Sequence, residues 1–352
     1  MDLRELAKLA ADRRASDLFI KVGSPPALRI DGKITMTELP KLTDAETREL
    51  AYGVMSHEQI GRFERRHEMD LAFTIDGVAR FRANVYQQRG TIGMVLRVIP
   101  LDIYTLEQLG MPQVIGDLCM HKQGLILLTG PTGSGKSTTL AAMIDLINRS
   151  RRCNIVTIED PLEFIHEDKL SIINQREISI DTDSFSEALK YVVRQSPDVI
   201  LIGEMRDVET MNVALAAAET GHLVFSTVHT TSAAGTMERI INMFPPHDKP
   251  QICLRMSDSL RGIISQKLLP RADGPGRIGG IEIMIGTPTI SKLIEEGRSG
   301  QLYPSIAEGG FWGMQTMNQC LLKYYKAGLI TEDIALLNAG NQTELKQMIR
   351  RP

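Results

Sequence analysis

The stretch that decides the fold is GLILLTGPTGSGKST, residues 124–138. It contains an apolar run of strand length, a glycine-rich loop that fits the pattern G-x-x-x-x-G-K-[S/T], and the start of a helix predicted over residues 137–148. The glycines allow successive backbone N–H groups to point inward around a phosphate, and the helix dipole favours negative charge at its N-terminus. The sequence therefore predicts a nucleotide phosphate site made of Gly130, Pro131, Thr132, Gly133, Ser134, Gly135, Lys136, Ser137 and Thr138.

Two residues of this loop have a predicted chemical role beyond the shape of the backbone. Lys136 is expected to contact the β- and γ-phosphates of ATP, and Ser137 is expected to bind Mg²⁺ through its hydroxyl. The fixed positions of the pattern would coincide by chance about 0.01 times in a chain of this length. Coincidence is therefore a weak alternative, and we predict ATP and Mg²⁺ as the cofactors.

Beyond the loop, strand-like apolar runs alternate with helical stretches. Continuous apolar strands separated by helices are typical of a parallel sheet that is covered on both faces. Residues 251–352 are predicted to be mostly helical, with one more strand near residues 278–285. We therefore predict an α/β core with strands at 125–129, 154–158, 199–203 and 223–228 and helices at 137–148, 185–194, 208–219 and 233–243.

The first hundred residues follow a different pattern. Short alternating runs separated by Asp-Gly turns predict antiparallel strands mixed with helices, which together make a smaller α+β domain. Residues 101–118 have weak strand signals and contain the sequence LGMP, so they are predicted to form a linker. The predicted organisation is an N-terminal domain at 1–100, a linker at 101–118, and a nucleotide-binding domain with a helical C-terminal part at 119–352.

Composition argues against several classes of protein. Of the 352 residues, 43% are hydrophobic and 24% are charged, as in ordinary globular proteins. The net charge of -3 argues against a dedicated nucleic-acid-binding protein, whose affinity depends on neutralising phosphates. No apolar run reaches the length of about 20 residues that a membrane-spanning helix needs, and the charged N-terminus is unlike a signal peptide. The four cysteines are widely spaced, so we expect reduced thiols in a cytoplasmic protein.

Acidic residues follow two of the predicted strands. Glu159, Asp160 and Glu163 come at or just after the end of one strand, and Glu204 follows the apolar strand at 199–203. Ligands of open parallel sheets bind at the carboxyl ends of the strands, where a carboxylate can bind Mg²⁺ or polarise an attacking water. A single such acid is more often a surface loop residue, but two strand-end acids downstream of a phosphate loop favour catalysis. We predict that Glu204 lies near the metal and that Glu163 is the general base.

Histidines and arginines add further candidates. His222 and His229 flank the strand at 223–228, where a histidine can donate a hydrogen bond to a γ-phosphate, although a lone histidine is more often structural. An arginine from a second domain or subunit can neutralise the charge that develops during phosphoryl transfer. In the N-terminal domain, residues two apart on a strand project to the same face, which is either a phosphate-binding face or a solvated edge. The candidates there are Arg80, Arg82 and Arg97.

Four motifs occur in the order found in the type II/type IV secretion ATPase superfamily. They are GPTGSGKST at 130–138, TIEDPLEF at 157–164 followed by His166, DVILIGEMRD at 198–207, and AETGHLVFSTVHTTSA at 218–233. The chain resembles the pilus-retraction branch of that superfamily, the PilT/PilU family, from ASDLFI at 15–20 to GMQTMNQ at 313–319.

This resemblance implies a PAS-like N-terminal domain, a RecA-like ATPase domain and a homohexameric ring with ATP bound between the domains. It further implies a cytoplasmic motor at the inner membrane, which acts on a membrane platform protein to retract type IV pili in twitching motility. Matched motif by motif, it assigns Lys136 and Ser137 to Walker A, Glu159, Asp160 and Glu163 to the Asp box, Glu204 to Walker B, and His222 and His229 to the His box. The ARFR stretch matches the region that supplies arginines to the nucleotide, which adds weight to Arg80, Arg82 and Arg97.

One segment departs from the family pattern. Retraction ATPases usually carry an AIR-x-GK-like stretch, but TPTISKLIEEGR at 287–298 places Ser291 where the arginine is expected. The ending at 330–350 is more similar to PilU, so an accessory role beside a paralogous retraction ATPase is an alternative to that of principal motor. A pilus extension or type II secretion ATPase is a further alternative, and the absence of a four-cysteine zinc module argues against it.

Overall fold

The computed structural model describes residues 2–13, 15–30, 32–99 and 102–350. The chain divides into two compact units, Met1–Asp102 and Ile103–Pro352, and each has its own hydrophobic core. The predicted fold class is confirmed, because unit 1 contains an antiparallel sheet with helices and unit 2 is an α/β unit with a mostly parallel sheet. None of the helices within the described ranges combines the length and apolar character that crossing a bilayer requires.

Unit 1 is built on a six-stranded antiparallel sheet with the order β3-β2-β1-β6-β5-β4. Alternation along the strands buries one face of the sheet and leaves polar side chains on the other. In β5, Phe81 and Ala83 are buried, whereas Arg82 is exposed. The helices are α1 Leu3–Asp12, α2 Asp44–Tyr52 and α3 His57–Arg66, and the strands are β1 Asp17–Lys21, β2 Ala27–Ile30, β3 Lys33–Met36, β4 Glu68–Ile75, β5 Ala79–Gln88 and β6 Thr91–Ile99.

Unit 2 is built on a seven-stranded sheet with the order β13-β12-β7-β11-β10-β8-β9, in which β13 is antiparallel to β12 and the other neighbours are parallel. The strands are β7 Gly124–Thr129, β8 Asn154–Glu159, β9 Ile172–Glu177, β10 Val199–Ile202, β11 Leu223–Val228, β12 Leu260–Pro270 and β13 Arg277–Ile285. The helices are α4 Gln113–Cys119, α5 Lys136–Ser150, α6 Phe185–Val192, α7 Val208–Glu219, α8 Ala233–Met243, α9 Lys249–Ser259, α10 Pro288–Glu295, α11 Leu302–Glu308, α12 Met317–Lys326, α13 Glu332–Asn338 and α14 Gln342–Arg350.

The middle of the unit 2 sheet is covered on both faces. Every residue of β7, β10 and β11 is buried, which explains why these strands are continuous apolar runs rather than alternating ones. Because β7, β11, β10 and β8 are parallel neighbours, their carboxyl ends meet at one edge of the sheet. The loops that carry the predicted acids therefore leave the sheet next to the glycine-rich loop.

The segment predicted as a linker folds largely with unit 2. Leu101 lies outside the described residues, but Leu106, Ile115 and Leu118 are buried in the core cluster that also contains residues of α5 and β7. The reason for the difference is length. A helix of seven residues, such as α4, is too short to show a helical period clearly in the sequence.

Strand β12 was not predicted, because residues 251–352 were expected to be helical apart from one strand. Helix α9 ends at Ser259 and β12 begins at Leu260, so the two elements follow each other without a loop. No glycine or proline separates them, so no turn signal marks the junction in the sequence. The strand pairs with β7 on one side and β13 on the other, which places it directly beside the phosphate loop.

A buried carboxylate joins two helix N-termini in unit 2. Glu282 on β13 is 3% exposed. Its Oε1 accepts a hydrogen bond from the backbone N–H of Ala233 at 2.7 Å, and its Oε2 accepts one from that of Met317 at 3.3 Å. These are the first residues of α8 and α12, where an anion is favoured by the helix dipole and by unpaired N–H groups.

Replacing Ile115 by alanine tests whether residues 103–118 belong to the core of unit 2. We expect Ile115→Ala to lower the free energy of unfolding by about 3 kcal/mol, because it leaves a cavity in a packed cluster. The protein's one tryptophan, Trp312, lies in unit 2 and reports urea unfolding by its fluorescence. Exposed Asp117 on the same helix is the control, and Asp117→Ala should change stability by less than about 0.5 kcal/mol. Equal stability of the two variants would show that the segment does not contribute to the core.

Candidate active site

The phosphate loop connects β7 to α5, and glycine is required at both ends of it. Gly130 and Gly135 have positive φ angles of 148° and 89°, a region that side chains rarely adopt. A Cβ on Gly130 would lie 2.3 Å from the carbonyl oxygen of Gln266, and one on Gly135 would lie 2.9 Å from its Nε2. Strand β12 thus packs directly against the loop, and this packing accounts for the tight curve of the loop.

Two side chains of β12 hold the loop in place. The Oε1 of Gln266 accepts a hydrogen bond from the Thr139 hydroxyl at 2.9 Å, and Ser265 accepts one from the Thr129 hydroxyl at 2.8 Å. Thr129 precedes the loop and Thr139 follows it, so both ends are fixed to one strand. Gln266 was not predicted from the sequence, since it lies in an unpredicted strand and belongs to none of the four motifs.

Lys136 is buried at the start of α5 and turns back onto the loop. Its Nζ donates to the carbonyl oxygens of Gly130 and Pro131 at 2.9 and 3.0 Å. Burial lowers the pKa of the Lys136 ammonium below its ordinary value, while the negative charges of Glu204 and Glu163 act in the opposite direction. The ammonium is thus the positive centre of a site that also contains carboxylates.

A cavity of about 300 Å³ opens beside this loop. Four of the predicted loop residues line it, namely Thr132, Gly133, Lys136 and Ser137. The predicted acids Glu159, Asp160, Glu163 and Glu204 also line it, together with His229. Residues that are far apart in the sequence therefore face one cavity, as expected for the carboxyl edge of a parallel sheet.

The end of β8 supplies two carboxyl groups in different environments. Glu159 is half-buried, and its Oε1 accepts a hydrogen bond from the Thr157 hydroxyl at 2.8 Å. Burial raises the pKa of the Glu159 carboxyl to about 7, although hydrogen bonds from Thr157 and Gln175 oppose this rise. Glu163 is exposed at the cavity. Its carboxylate can therefore contact a water in the cavity, which is what a general base requires first.

The end of β10 brings a carboxylate together with a histidine and an arginine. Glu204 lies 2.7 Å from Nη2 of Arg206 and 3.3 Å from Nε2 of His229. Burial acts to raise the pKa of Glu204, but the hydrogen bond from Arg206 and the charges of His229 and Arg206 lower it below its ordinary value. The Thr227 hydroxyl donates to the Gly203 carbonyl at 2.7 Å and so fixes the spacing between the ends of β10 and β11.

Two further polar residues line the cavity, and sequence analysis gave neither of them a role. Arg206 comes two residues after Glu204. Its position close to the predicted Walker B acid is the feature of the sequence that could have identified it. Burial lowers the pKa of the His166 ring to about 4, so the ring is neutral at pH 7. Its Nδ1 is buried and has no hydrogen-bond partner within the described part of the chain.

The structure does not bring His222 to the cavity. It lies at the amino end of β11, where its Nδ1 is 2.9 Å from the Ala217 carbonyl and its own carbonyl accepts from the Gly124 N–H at 3.0 Å. His229 follows the other end of the strand, and six residues of strand span about 20 Å. The two histidines of the predicted pair therefore cannot act on the same phosphate group.

The three predicted arginines lie in unit 1. Arg80 and Arg82 are on β5, and Arg97 is on β6 directly opposite Arg82. Arg97 forms an ion pair with Asp17, with 3.1 Å between its Nε and Oδ1 of the carboxylate. These residues are thus grouped on one sheet of unit 1, whereas the cavity and its lining residues belong to unit 2.

Oxygen donors are available near the loop for a cation. Within the described ranges, no group of three or more His, Cys, Asp or Glu side chains is arranged to hold a metal ion. Ser137, in the first turn of α5, and Glu204 both line the cavity. A hydroxyl and a carboxylate fit Mg²⁺, which keeps several waters and binds through few protein oxygens.

Comparison with known proteins identifies the family. The profile of the family described as type II/IV secretion system protein matches residues 2–299. The chain belongs to this family. One relative, the "Type IV pilus retractation ATPase PilT" of Pseudomonas aeruginosa, is 48% identical over 335 residues, which are 95% of this chain and 97% of the relative. The "Type IV pilus ATPase PilU" of the same organism is 41% identical over 350 residues, or 99% and 92% of the two chains.

Solved structures agree with this assignment. The crystal structure of the pilus retraction motor PilT with bound ADP superposes with a TM-score of 0.93 at 46% identity, covering 99% of this chain and 100% of that one. The Legionella pneumophila ATPase DotB has a TM-score of 0.79 at 27% identity, with coverage of 93% and 92%. The family resemblance predicted from the four motifs is confirmed.

The segment that departs from the family pattern is part of the fold of unit 2. Ser291, which stands where an arginine was expected, lies on α10 and donates its hydroxyl hydrogen to the Ser257 carbonyl of α9 at 2.9 Å. Lys292 lies 3.1 Å from Glu295 and 3.7 Å from Glu296. Ser291 therefore fastens α10 to its neighbour, whereas the ion pairs of Lys292 lie within α10 and its C-terminal end.

Replacing Gln266 tests whether β12 shapes the phosphate loop. Gln266→Leu keeps the approximate size of the side chain but removes the acceptor for the Thr139 hydroxyl, which leaves a buried polar group without its partner. We expect the affinity for a fluorescent ATP analogue to fall about tenfold, equivalent to about 1.4 kcal/mol. Exposed Lys122→Leu, at the other end of β7, is the control. Unchanged affinity in Gln266→Leu would show that the loop keeps its shape without this contact.

The raised pKa of Glu159 predicts a dependence of stability on pH. Because its pKa is about 7 in the folded chain and 4.5 ordinarily, the folded state binds a proton that the unfolded state releases between these values. The free energy of unfolding that the protonated Glu159 carboxyl contributes is therefore lost as the pH rises from 4.5 through about 7. Glu159→Gln removes the cost of the buried charge, so at about pH 8 the variant should be more stable than the parent by about 2 kcal/mol.

Urea unfolding followed by Trp312 fluorescence measures this difference at several pH values. The stability difference between Glu159→Gln and the parent should shrink as the pH falls toward about 5, where the parent carboxyl is also neutral. Glu167→Gln, at an exposed position of the same loop, should show no such trend. A difference that stays constant with pH would contradict the raised pKa.

Proposed function

We propose that the protein is an ATP-hydrolysing motor that powers type IV pilus retraction. The observation that carries the proposal is the convergence of Glu163 and Glu204, from two strand ends of one sheet, on the cavity lined by Lys136 and Ser137. The relatives named PilT and PilU support the biological setting, and the solved PilT structure with ADP supports a nucleotide in this cavity.

The residues of the site have different chemical roles. The loop N–H groups and Lys136 bind the β- and γ-phosphates, since they are the positive end of α5 and the ammonium beside it. Glu163 takes a proton from the attacking water, because its carboxylate is exposed at the cavity. His229 and Arg206 hold Glu204 from two sides and so keep its carboxylate aimed at the cavity.

Mg²⁺ fits the oxygen donors of the site. Ser137 and Glu204 would hold it, directly or through water, and bound Mg²⁺ supplies positive charge to the phosphate oxygens. The Asp box acids play different parts. Glu159 braces the end of β8 through Thr157, while Asp160 lines the cavity beside Glu163.

The motor step involves both units of the chain. We propose a homohexamer in which Arg80, Arg82 and Arg97 of unit 1 meet the phosphates of a nucleotide bound by unit 2. Different contacts with ATP and with ADP bias the units between two arrangements, and contacts between copies pass the change around a closed ring. The ring acts at the cytoplasmic face of the inner membrane on a pilus platform protein.

An accessory retraction ATPase, working beside a paralogous motor, is a second candidate. Ser291 favours it, since this residue fastens α10 to α9 in place of the arginine expected in a principal retraction motor. The two candidates share the same chemistry and differ in what happens when the gene is deleted. If deletion abolishes all pilus retraction, the protein is the principal motor. If deletion abolishes retraction only when the pilus is under load, the protein is the accessory ATPase.

A conservative substitution tests the proposed base. Glu163→Gln keeps the shape of the side chain but cannot accept the proton, so hydrolysis should fall at least about 100-fold. Affinity for a fluorescent ATP analogue should stay within about twofold, because the phosphate loop is unchanged. The matched control, Glu167→Gln, makes the same change four residues further on at an exposed position and should hydrolyse ATP at the parental rate. Persistent hydrolysis in Glu163→Gln would show that another group is the base.

The same pair of variants tests the biological role. A deletion strain should carry excess surface pili and lose twitching, and the parental gene and Glu167→Gln should restore both. Glu163→Gln should fail to restore them if retraction depends on hydrolysis. A deletion strain that loses its pili would instead identify an extension ATPase.

A further inference from the structure

A row of charged residues crosses the polar face of the unit 1 sheet. Arg29 on β2 is directly opposite Asp17 on β1, Asp17 is opposite Arg97 on β6, and Arg97 is opposite Arg82 on β5. Residues opposite each other on antiparallel strands project to the same face and lie within contact distance. The row therefore runs Arg29–Asp17–Arg97–Arg82, with three positive charges and one negative charge.

Asp17 is the buried centre of this row. It is 5% exposed, and each of its carboxylate oxygens contacts a different arginine. Oδ2 accepts from Nε of Arg29 at 3.0 Å and from the Ser16 hydroxyl at 2.8 Å, and Oδ1 accepts from Nε of Arg97 at 3.1 Å. A buried carboxylate with several donors has a fixed orientation, so it fixes the side chains that it binds.

The way in which Arg97 is held leaves its outer edge free. Only its Nε contacts Asp17, and the side chain is 67% exposed. Within the described residues, its two terminal nitrogens make no other hydrogen bond, and neither does the guanidinium of Arg82. The planar fork of a guanidinium matches two oxygens of a phosphate. A guanidinium bound by Nε alone therefore keeps its terminal nitrogens available for a phosphate.

Asp17 also offsets a repulsion. Like charges directly opposite each other on neighbouring strands destabilise the pair, and Arg97 and Arg82 are such a pair. The negative charge of Asp17, on the other side of Arg97, keeps that guanidinium over the sheet. Asn84 and Asp70 form a neighbouring pair on the same face, with 3.1 Å between Nδ2 and Oδ1; within the described residues, neither of them forms a hydrogen bond or an ion pair with Arg97.

We propose that Asp17 is a positioning residue for ATP hydrolysis, which holds Arg97 by its Nε so that the terminal nitrogens meet phosphate oxygens as charge develops. The proposal rests on the proposed role of Arg97 at the phosphates. Asp17 itself does not touch the nucleotide, and its effect passes through Arg97.

Steady-state hydrolysis by the full-length protein tests this role. Asp17→Asn removes the charge but keeps the size, and we expect kcat to fall about tenfold while KM for ATP changes by less than about twofold, since the phosphate loop of unit 2 holds the ground state. Asp17→Glu, which keeps the charge, should recover part of the loss. The matched control Asp70→Asn makes the same change on the same face and should leave kcat unchanged. Parental kcat in Asp17→Asn would overturn the proposal.

A double-mutant cycle with Arg97→Ala separates positioning from stability. If Asp17 acts through Arg97, Asp17→Asn should cause no further loss of kcat in the Arg97→Ala background. If the fold losses of kcat caused by the two single substitutions multiply in the double variant, the proposal is overturned, while the role of Arg97 remains intact. Parental kcat in Arg97→Ala would refute that role and this inference with it, but would leave hydrolysis by Glu163 standing.

Thermal melts check that the variants fold. Should Asp17→Asn melt far below the parent, the cycle is repeated with Asp17→Glu, which keeps the charge and moves both oxygens outward by one carbon. If Asp17 acts through Arg97, the smaller loss of kcat caused by Asp17→Glu must then also vanish in the Arg97→Ala background. An additive loss in that cycle overturns the proposal.

Discussion

The close packing of β12 against the phosphate loop is the contact on which the active site depends. A loop that presents successive N–H groups to a phosphate must curl tightly, and its shape has to be held from outside. The carbonyl of Gln266 lies where a side chain on Gly130 would be, and the amide of Gln266 lies against Gly135. Glycine is therefore needed at both positions for two separate reasons, its backbone angle and the presence of the neighbouring strand.

From that fixed loop, the rest of the site follows from the order of the strands. Because β7, β11, β10 and β8 are parallel neighbours, the residues after each strand share one edge. The histidine after β11 reaches the carboxylate after β10, and the acids after β8 line the same cavity. Parallel order thus converts distant positions in the sequence into a compact group of lysine, carboxylates and histidine.

Much of this arrangement could be predicted, and the reasons for the failures are physical. The central strands are fully buried and apolar, so they were recognisable, and the acids and the histidine that follow them line one cavity. Strand β12 was missed because α9 runs into it without a turn, and Gln266 was missed with it. The short helix α4 was read as linker, since seven residues show little periodicity. His222 and His229 were predicted at opposite ends of one strand, and only His229 lines the cavity.

The capped pair of helices at Glu282 has a consequence for how this fold can vary. Helix α8 begins four residues after His229, and α12 is the first of the last three helices of the described chain, α12–α14. One acidic side chain therefore ties the loop after β11 to these three helices. A paralogue that acquires a different tail, through drift or recombination, must keep a group with two acceptors at this point. Exchange of tails between relatives is thus constrained by a single buried position, which lies outside the four motifs that identify the superfamily.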